Sequence, residues 1–237
     1  MRYSFFFSPL LLFVACGAPP LTAEEVIDRA IEVHYSDYYE QADLEFAFRD
    51  KTYGIQTDGG EYVYTRSFGD TVDRVANEGF SRTAAGELVA VSDSMAGRYA
   101  NSVNSVRYFF MLPYGLHEPA VNTQLLGERT LRGEPYYELR ITFAEEDGGD
   151  DYDDVYHYFF HRESGELDYL AYSFTVNGGG VRFREAINKR RVDGLLVQDY
   201  INYKPKQATP VANLAGLLET DGLKELSRIE NTAIRLR

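Results

Sequence analysis

The chain of 237 residues has a single cysteine, no tryptophan, three methionines and eight prolines. One cysteine excludes a disulfide framework and any zinc centre built on several thiolates. Basic residues are outnumbered, 24 Lys+Arg against 37 Asp+Glu for a formal charge of −13. That balance leaves no basic face for general binding of nucleic-acid phosphates. There is no Gly-x-Ser-x-Gly elbow for a nucleophilic serine, and Gly178-Gly179-Gly180 lies between strand-like runs rather than ahead of a phosphate-binding helix. No internal repeat and no alternation of strand with long helix is visible, which argues against a TIM barrel or a Rossmann fold. Beyond the first 15 residues, no apolar run is long enough to cross a membrane as a helix. What is abundant is aromatic: 19 tyrosines and 15 phenylalanines within a 44% hydrophobic chain, too much for a disordered one.

The N-terminus reads as an address. Arg2 precedes the short apolar run Phe5 to Ala15, which fits the hydrophobic core of a secretory signal and is too short to span the ~30 Å hydrocarbon layer. Phe13-Val14-Ala15-Cys16-Gly17 resembles a bacterial lipobox, with Phe13 where leucine is usual. The resemblance implies lipidation of Cys16 as the first mature residue. The plainer reading is an ordinary signal peptide followed by an incidental cysteine. Cys16 is the lone thiol and sits at that boundary, which favours lipidation. Gly17 is not aspartate, the residue that retains many lipoproteins in the inner membrane, so an outer-membrane destination is expected. The expected organisation is a signal peptide over 1–15, a lipidated tether over 16–21 and one domain over 22–237.

The body patterns as mainly β with a few helices. Thr22 and Glu25 form a capping box ahead of Val26, Ile27, Ala30, Ile31 and His34 at helical spacing, which predicts a helix over 22–34. Leu44, Phe46 and Phe48 alternate with polar neighbours, as do Tyr62 and Tyr64, and Asp58-Gly59-Gly60 between these runs is hairpin chemistry. Residues 80–82 and 87–91 read as strands. Met95, Tyr99, Val103, Val106 and Phe110 recur at helical spacing, predicting a helix over 93–112 that ends before Pro113. The clearest strands follow, with Tyr137, Leu139, Ile141 and Phe143 on one face, an aromatic run over 154–160, then Leu170, Tyr172, Phe174 and Val176, then 181–184 and 195–203. Residues 214–226 read as partly helical, with a closing strand over 227–236. Some ten antiparallel strands with short turns imply a large curved sheet or barrel.

With these elements in place, the chain resembles a family of uncharacterised bacterial envelope lipoproteins (DUF6503-like) whose fold is similar to the LolA/LolB lipoprotein-localisation factors. The stretches that carry the resemblance are Ala47–Asp50, Asn101–Phe110, Leu112–Leu116, Gly180–Asn188 and Asp199–Tyr203. It implies a half-open antiparallel barrel of about eleven strands, covered by the N-terminal helix and the inserted helix, with an apolar cavity of the kind that holds acyl chains. Relatives of this type sometimes carry a deoxyribose-phosphate aldolase label. That chemistry needs a Schiff-base lysine in a parallel βα barrel, and an antiparallel chain with only Lys51, Lys189, Lys204, Lys206 and Lys224 does not support it.

The candidate cavity wall is Phe46, Phe48, Tyr62, Tyr64, Leu139, Ile141, Phe143, Leu170, Tyr172 and Phe174, with Val103 and Phe110 contributed by the inserted helix. Two readings compete, an ordinary filled core and a pocket for a lipid, an acyl chain or another apolar ligand. Arg182, Arg184, Glu185 and Asn188 read as a polar ladder on the solvent side, or as a polar rim that orients a head group. Asn101 and Asn104 are poor helix formers, which suggests amide ties to the sheet or ligand contacts. The acidic run 145–154 lacks EF-hand spacing and reads as a solvated hairpin loop, with weak calcium binding the alternative. His157 and His161 are ~13 Å apart if extended and cannot share a metal directly. No metal or cofactor is implied. The expected function is that of a non-enzymatic, outer-membrane-anchored periplasmic lipoprotein that binds an apolar ligand. The alternative is an interaction lipoprotein with a filled core that docks an envelope partner through its acidic face. A third reading is a hydrolase or lyase with an unrecognised site.

Overall fold

Thr22 opens the first helix in the way its side chain allows. In the computed structural model, which describes residues 21–145, 153–175 and 178–237, Thr22 Oγ1 accepts from the Glu25 amide while the Glu25 carboxylate accepts from the Thr22 amide. Helix α1 (Ala23–His34) ends on Tyr35, whose left-handed backbone returns its N–H to the Ile31 and Glu32 carbonyls. A 3-10 turn (Ser36–Gln41) leads into strands β1 (Asp43–Phe48), β2 (Lys51–Asp58), β3 (Glu61–Phe68), β4 (Thr71–Ala76), β5 (Gly79–Ala84) and the short β6 (Glu87–Leu88). Gly59 and Gly60, both at positive φ, form the two-residue turn between β2 and β3. The hairpin signal was therefore sound, but it joins β3 to β2 rather than to the β1 run. Helix α2 (Asp93–Met111) follows and stops before Pro113.

The second half comprises β7 (Val121–Leu131), β8 (Glu134–Phe143), β9 (Tyr156–His161), β10 (Leu167–Phe174), β11 (Gly180–Val192) and β12 (Leu195–Pro205). A 3-10 helix (Val211–Leu218), β13 (Leu223–Ile229) and β14 (Asn231–Leu236) complete it. The strands form two seven-stranded antiparallel sheets, ordered β14-β1-β2-β3-β4-β5-β6 and β13-β12-β11-β10-β9-β8-β7. They do not close on each other, so the architecture is an open half-barrel. Fourteen strands are present among the described residues, against about eleven expected. β2, β4 and β7 escaped sequence reasoning, β4 and β7 because their inward or edge positions carry polar residues. Residues 214–226, expected to be partly helical, end the 3-10 helix and begin β13, and the one closing strand expected over 227–236 is divided at Glu230 between β13 and β14.

The chain crosses from one sheet to the other at Glu230, between β13 and β14. Buried Asp199 of β12 closes this seam. It accepts from the Asn231 amide at 2.8 Å and the Asn188 side chain at 3.2 Å, and it pairs with Arg190 at 3.3 Å.

Three apolar clusters fill most of the interior. The inner face of β7–β12 packs Leu139, Ile141, Tyr158, Phe160 and Leu170 against α1 and the C-terminal turn of α2. The inner face of β1–β5 packs Leu44, Phe46, Ile55, Tyr64 and Val75 against Val103 and Met111 of α2. A third cluster, with Tyr136, Phe159, Tyr169 and Phe183, lies on the outer face of the second sheet beneath Val211–Leu218. That sheet is thus buried on both faces.

His34 illustrates the packing. It is fully buried at the end of α1, and its Nε2 accepts from the Leu167 amide at 3.1 Å. Burial, reinforced by nearby Lys189 and Arg191 and only partly offset by Glu166, pulls its pKa down to about 4. The folded state therefore resists a proton that the unfolded chain accepts near pH 6.5. The stabilising contribution is complete above that pH and drains away as the pH falls through 6.5 towards 4, by at most about 3 kcal/mol. Urea midpoints measured from pH 7 to pH 4 should show His34→Gln losing less stability over this window than the parent. Parallel curves would refute the assignment.

Candidate functional site

A cleft of about 750 Å³ lies between α2 and the junction of the two sheets. Its volume is within the ~300–1,000 Å³ usual for ligand pockets. One side is α2, through Arg98, Asn101, Ser102, Ser105, Val106, Phe109 and Phe110. The other is the end of β1 (Phe48, Arg49), then Arg184 of β11, Tyr200 and Asn202 of β12, Ser227 and Ile229 of β13, and Asn231 of β14. Four of the five stretches that carry the family resemblance therefore meet here, from 47–50, 101–110, 180–188 and 199–203.

Strand register builds the polar wall. Arg184 is paired with Asn202, and Asn202 with Ser227, so one row of polar side chains crosses three strands. Asn202 Nδ2 donates to Ser227 Oγ at 3.3 Å, while its Oδ1 is buried without a partner. Arg184 is 9% exposed. Its guanidinium sits 3.7 Å from the Phe109 ring centroid and 5.2 Å from that of Tyr172, and Nη2 donates to Tyr172 Oη at 2.9 Å. Its Nε is buried with no partner, and among the described residues no carboxylate forms an ion pair with it. Phe109, which holds Arg184 by cation–π attraction, belongs to the helix, so the helix and the sheet position this cation jointly.

Phe48 and Phe110, of the twelve wall residues expected from sequence, line the cleft. Phe46, Tyr64 and Val103 are buried in the cluster of the first sheet, with Tyr62 packed on its edge. Leu139, Ile141, Leu170 and Tyr172 are buried in that of the second sheet, with Phe143 and Phe174 packed against it. The Arg182–Asn188 segment divides by strand parity instead of forming one ladder. Arg184 turns inward, Glu185 pairs with Arg132 and accepts from Tyr203 Oη, and Asn188 ties to Asp199. Polar Arg98, Asn202, Ser227 and Asn231 escaped sequence reasoning because nothing local marks them as facing a cleft. Of the two helix asparagines singled out, Asn101 lines it.

The remaining candidates have structural occupations. His157 Nδ1 lies 2.7 Å from Glu138, which also accepts from Arg129 at 3.1 Å on the outer face. Burial would raise the Glu138 pKa, but the bonds from His157 and Arg129 outweigh it and hold the carboxyl low. His161 faces Glu134 at 3.6 Å, and His117 bonds Asp28 at 2.8 Å. Among the described residues no group of three or more His, Cys, Asp and Glu could hold a metal, and no helix is long and apolar enough to cross a membrane. Lys189 is clamped between Glu166 and Asp168. Burial alone would lower its pKa, yet these hydrogen bonds raise it, the opposite of what a Schiff-base nucleophile needs. No lysine lines the cleft. Cys16 and residues 146–152 of the acidic run 145–154 lie outside the described residues, while Asp154 at the end of that run is buried rather than solvated.

The open half-barrel is similar in fold to solved structures of the LolA type. A LolA superfamily protein from Nitrosomonas europaea is similar over 92% of this chain and 94% of its own, at 12% identity and a TM-score of 0.52. A DUF1329 family protein from Desulfovibrio piger is similar over 91% of this chain and 93% of its own, at 10% identity and a TM-score of 0.54. The chain itself belongs to DUF6503, a family of unknown function whose profile matches residues 2–231. No curated protein matches the sequence.

Proposed function

We propose that this chain is a non-enzymatic lipoprotein of the bacterial envelope, held at the outer membrane on its periplasmic side by acyl chains on Cys16, that binds an apolar or amphipathic ligand in the cleft beneath α2. The observation that carries this reading is the 750 Å³ space left between α2 and the sheet junction, beside the two apolar clusters that pack the inner faces of the sheets. Phe48, Val106, Phe110 and Ile229 offer it an apolar floor. The likeness in fold to a LolA superfamily protein is consistent with such a role, as is the lipobox-like stretch around Cys16.

Two measurements test it. Cells fed radiolabelled palmitate should label the full chain, and Cys16→Ala should abolish the label. Organic extraction of the Cys16→Ser chain purified from the envelope should release an acyl-bearing or other apolar molecule in near-stoichiometric amount. A clean extract, together with no uptake of any added acyl probe, would overturn the binding role. It would favour instead an interaction protein that docks a partner through its acidic surface, a reading supported by the full burial of Leu139, Ile141 and Leu170.

A further inference from the structure

We infer that the cleft selects an amphiphile with an anionic head, a carboxylate or phosphate joined to an acyl chain, with the head held by Arg184 and the chain laid along the apolar floor. This deepens the ligand-binding reading above and rests on it.

The charge of the cleft is opposite to that of the protein. The chain carries −13, yet the charged residues lining this space are Arg49, Arg98 and Arg184, with no Asp or Glu among the described lining residues. Arg49 and Arg98 stand exposed at the rim and Arg184 is buried at the wall.

Arg66, the other buried arginine, is given Asp73. Arg107 shares the pattern of Arg184, stacked on Tyr64 with a buried Nε that has no partner among the described residues, but it does not line the cleft. A buried cation without a counter-charge is costly, and stacking on Phe109 with one bond to Tyr172 Oη offsets only part of that cost. A guanidinium has five N–H donors in a fixed fork. One is used by Tyr172, and the buried Nε has no acceptor among the described residues. The missing partner is an anionic oxygen pair, the geometry that a guanidinium fork matches best.

The surroundings fit a head group rather than a bare ion. Asn202, Ser227 and Ser105 supply neutral hydrogen-bonding groups beside the cation. Phe48, Phe110 and Ile229 continue the same space as apolar wall. An inorganic anion would use the first set and leave the second facing water.

The test uses the full chain carrying Cys16→Ser, so that its own acyl chains do not compete. The probes are cis-parinaric acid, an acyl chain that fluoresces in apolar surroundings, and its neutral methyl ester. The acid should bind about tenfold tighter or better, because a charge-assisted bond exceeds the neutral contact by at least that factor. Arg184→Gln should bring the acid down to the affinity of the ester and leave the ester unchanged, and Arg184→Lys should recover part of the preference. Displacement of the acid by palmitate or by lysophosphatidylglycerol supports the inference, and the one acting at lower concentration identifies the head as carboxylate or phosphate. If Arg184→Gln fails to unfold cooperatively, the exposed rim pair Arg49→Gln with Arg98→Gln replaces it. That pair should weaken the acid several-fold and spare the ester, and equal weakening of both counts against. Equal affinity of the parent for acid and ester overturns anion selectivity and leaves ligand binding standing. Binding of neither overturns both.

Discussion

Asp73→Ala should destabilise the protein by about 3–5 kcal/mol, the range for removing one member of a buried ion pair. Asp73 is fully buried on the inner face of β4. Register places it between Arg66 of β3 and Arg82 of β5. Arg66 Nε donates to Oδ2 at 3.0 Å and Arg82 Nε to Oδ1 at 2.6 Å. Removing the carboxylate strands Arg66, itself only 6% exposed. Burial would raise the Asp73 pKa, but the hydrogen bonds from Arg82 and Arg66 outweigh that and hold it below the usual carboxylate range. Its stabilisation is therefore present at neutral pH and is lost only in acid, as the pH falls through that depressed value. Arg66 Nη1 also donates to Ser102 Oγ at 2.7 Å, so this network anchors α2 over the first sheet beside the cleft. Guanidinium unfolding at neutral pH reads the loss, and a cost under about 1 kcal/mol would show that the network is not what holds the helix. Arg66→Met with Asp73→Leu should recover much of the stability, because an apolar pair of similar volume leaves no charge stranded.

Phe46→Ala should cost about 3–5 kcal/mol and Phe48→Ala less than half of that. The two residues are neighbours on one face of β1, and the sequence assigned both to the cavity wall. Phe46 has no exposure and stacks on Phe110 with ring centroids 3.8 Å apart, 8° from parallel, and on Tyr53 at 5.5 Å. Truncating it opens a void in a packed cluster and removes two aromatic contacts, each worth a further ~0.5–1.5 kcal/mol. Phe48 is half-buried and faces the cleft beside Arg49, so its truncation enlarges a space that already exists. The complementary expectation is that Phe48→Ala weakens acyl-probe binding more than it lowers the unfolding midpoint. Equal destabilisation by both variants would mean that the cleft is closed and packed in solution.

Several elements were legible because their causes are local. The Thr22–Glu25 box sets the start of α1, the glycine pair sets the β2–β3 turn, Pro113 stops α2, and alternation along β8 and β10 marks antiparallel strands. Other elements were obscured because local pattern and tertiary role conflict. In β4 the inward position is Asp73, so the apolar alternation breaks where the ion network sits. In β7, an edge strand, a register shift between Leu125 and Gly127 interrupts the period of two.

The sequence by itself determined the family, the antiparallel half-barrel class and the two covering helices, and through the family resemblance it marked segments that the fold then brings to one cleft. It could not determine which of those segments' side chains face the cleft. In β11 the alternation of Val181 and Phe183 with Arg182 and Arg184 reads as apolar-in and polar-out. The fold reverses it, because Val211–Leu218 folds over the outer face and buries Phe183 there, which turns Arg184 inward beneath Phe109. Alternation reports that two faces differ, but which of them is covered depends on contacts made from distant parts of the chain.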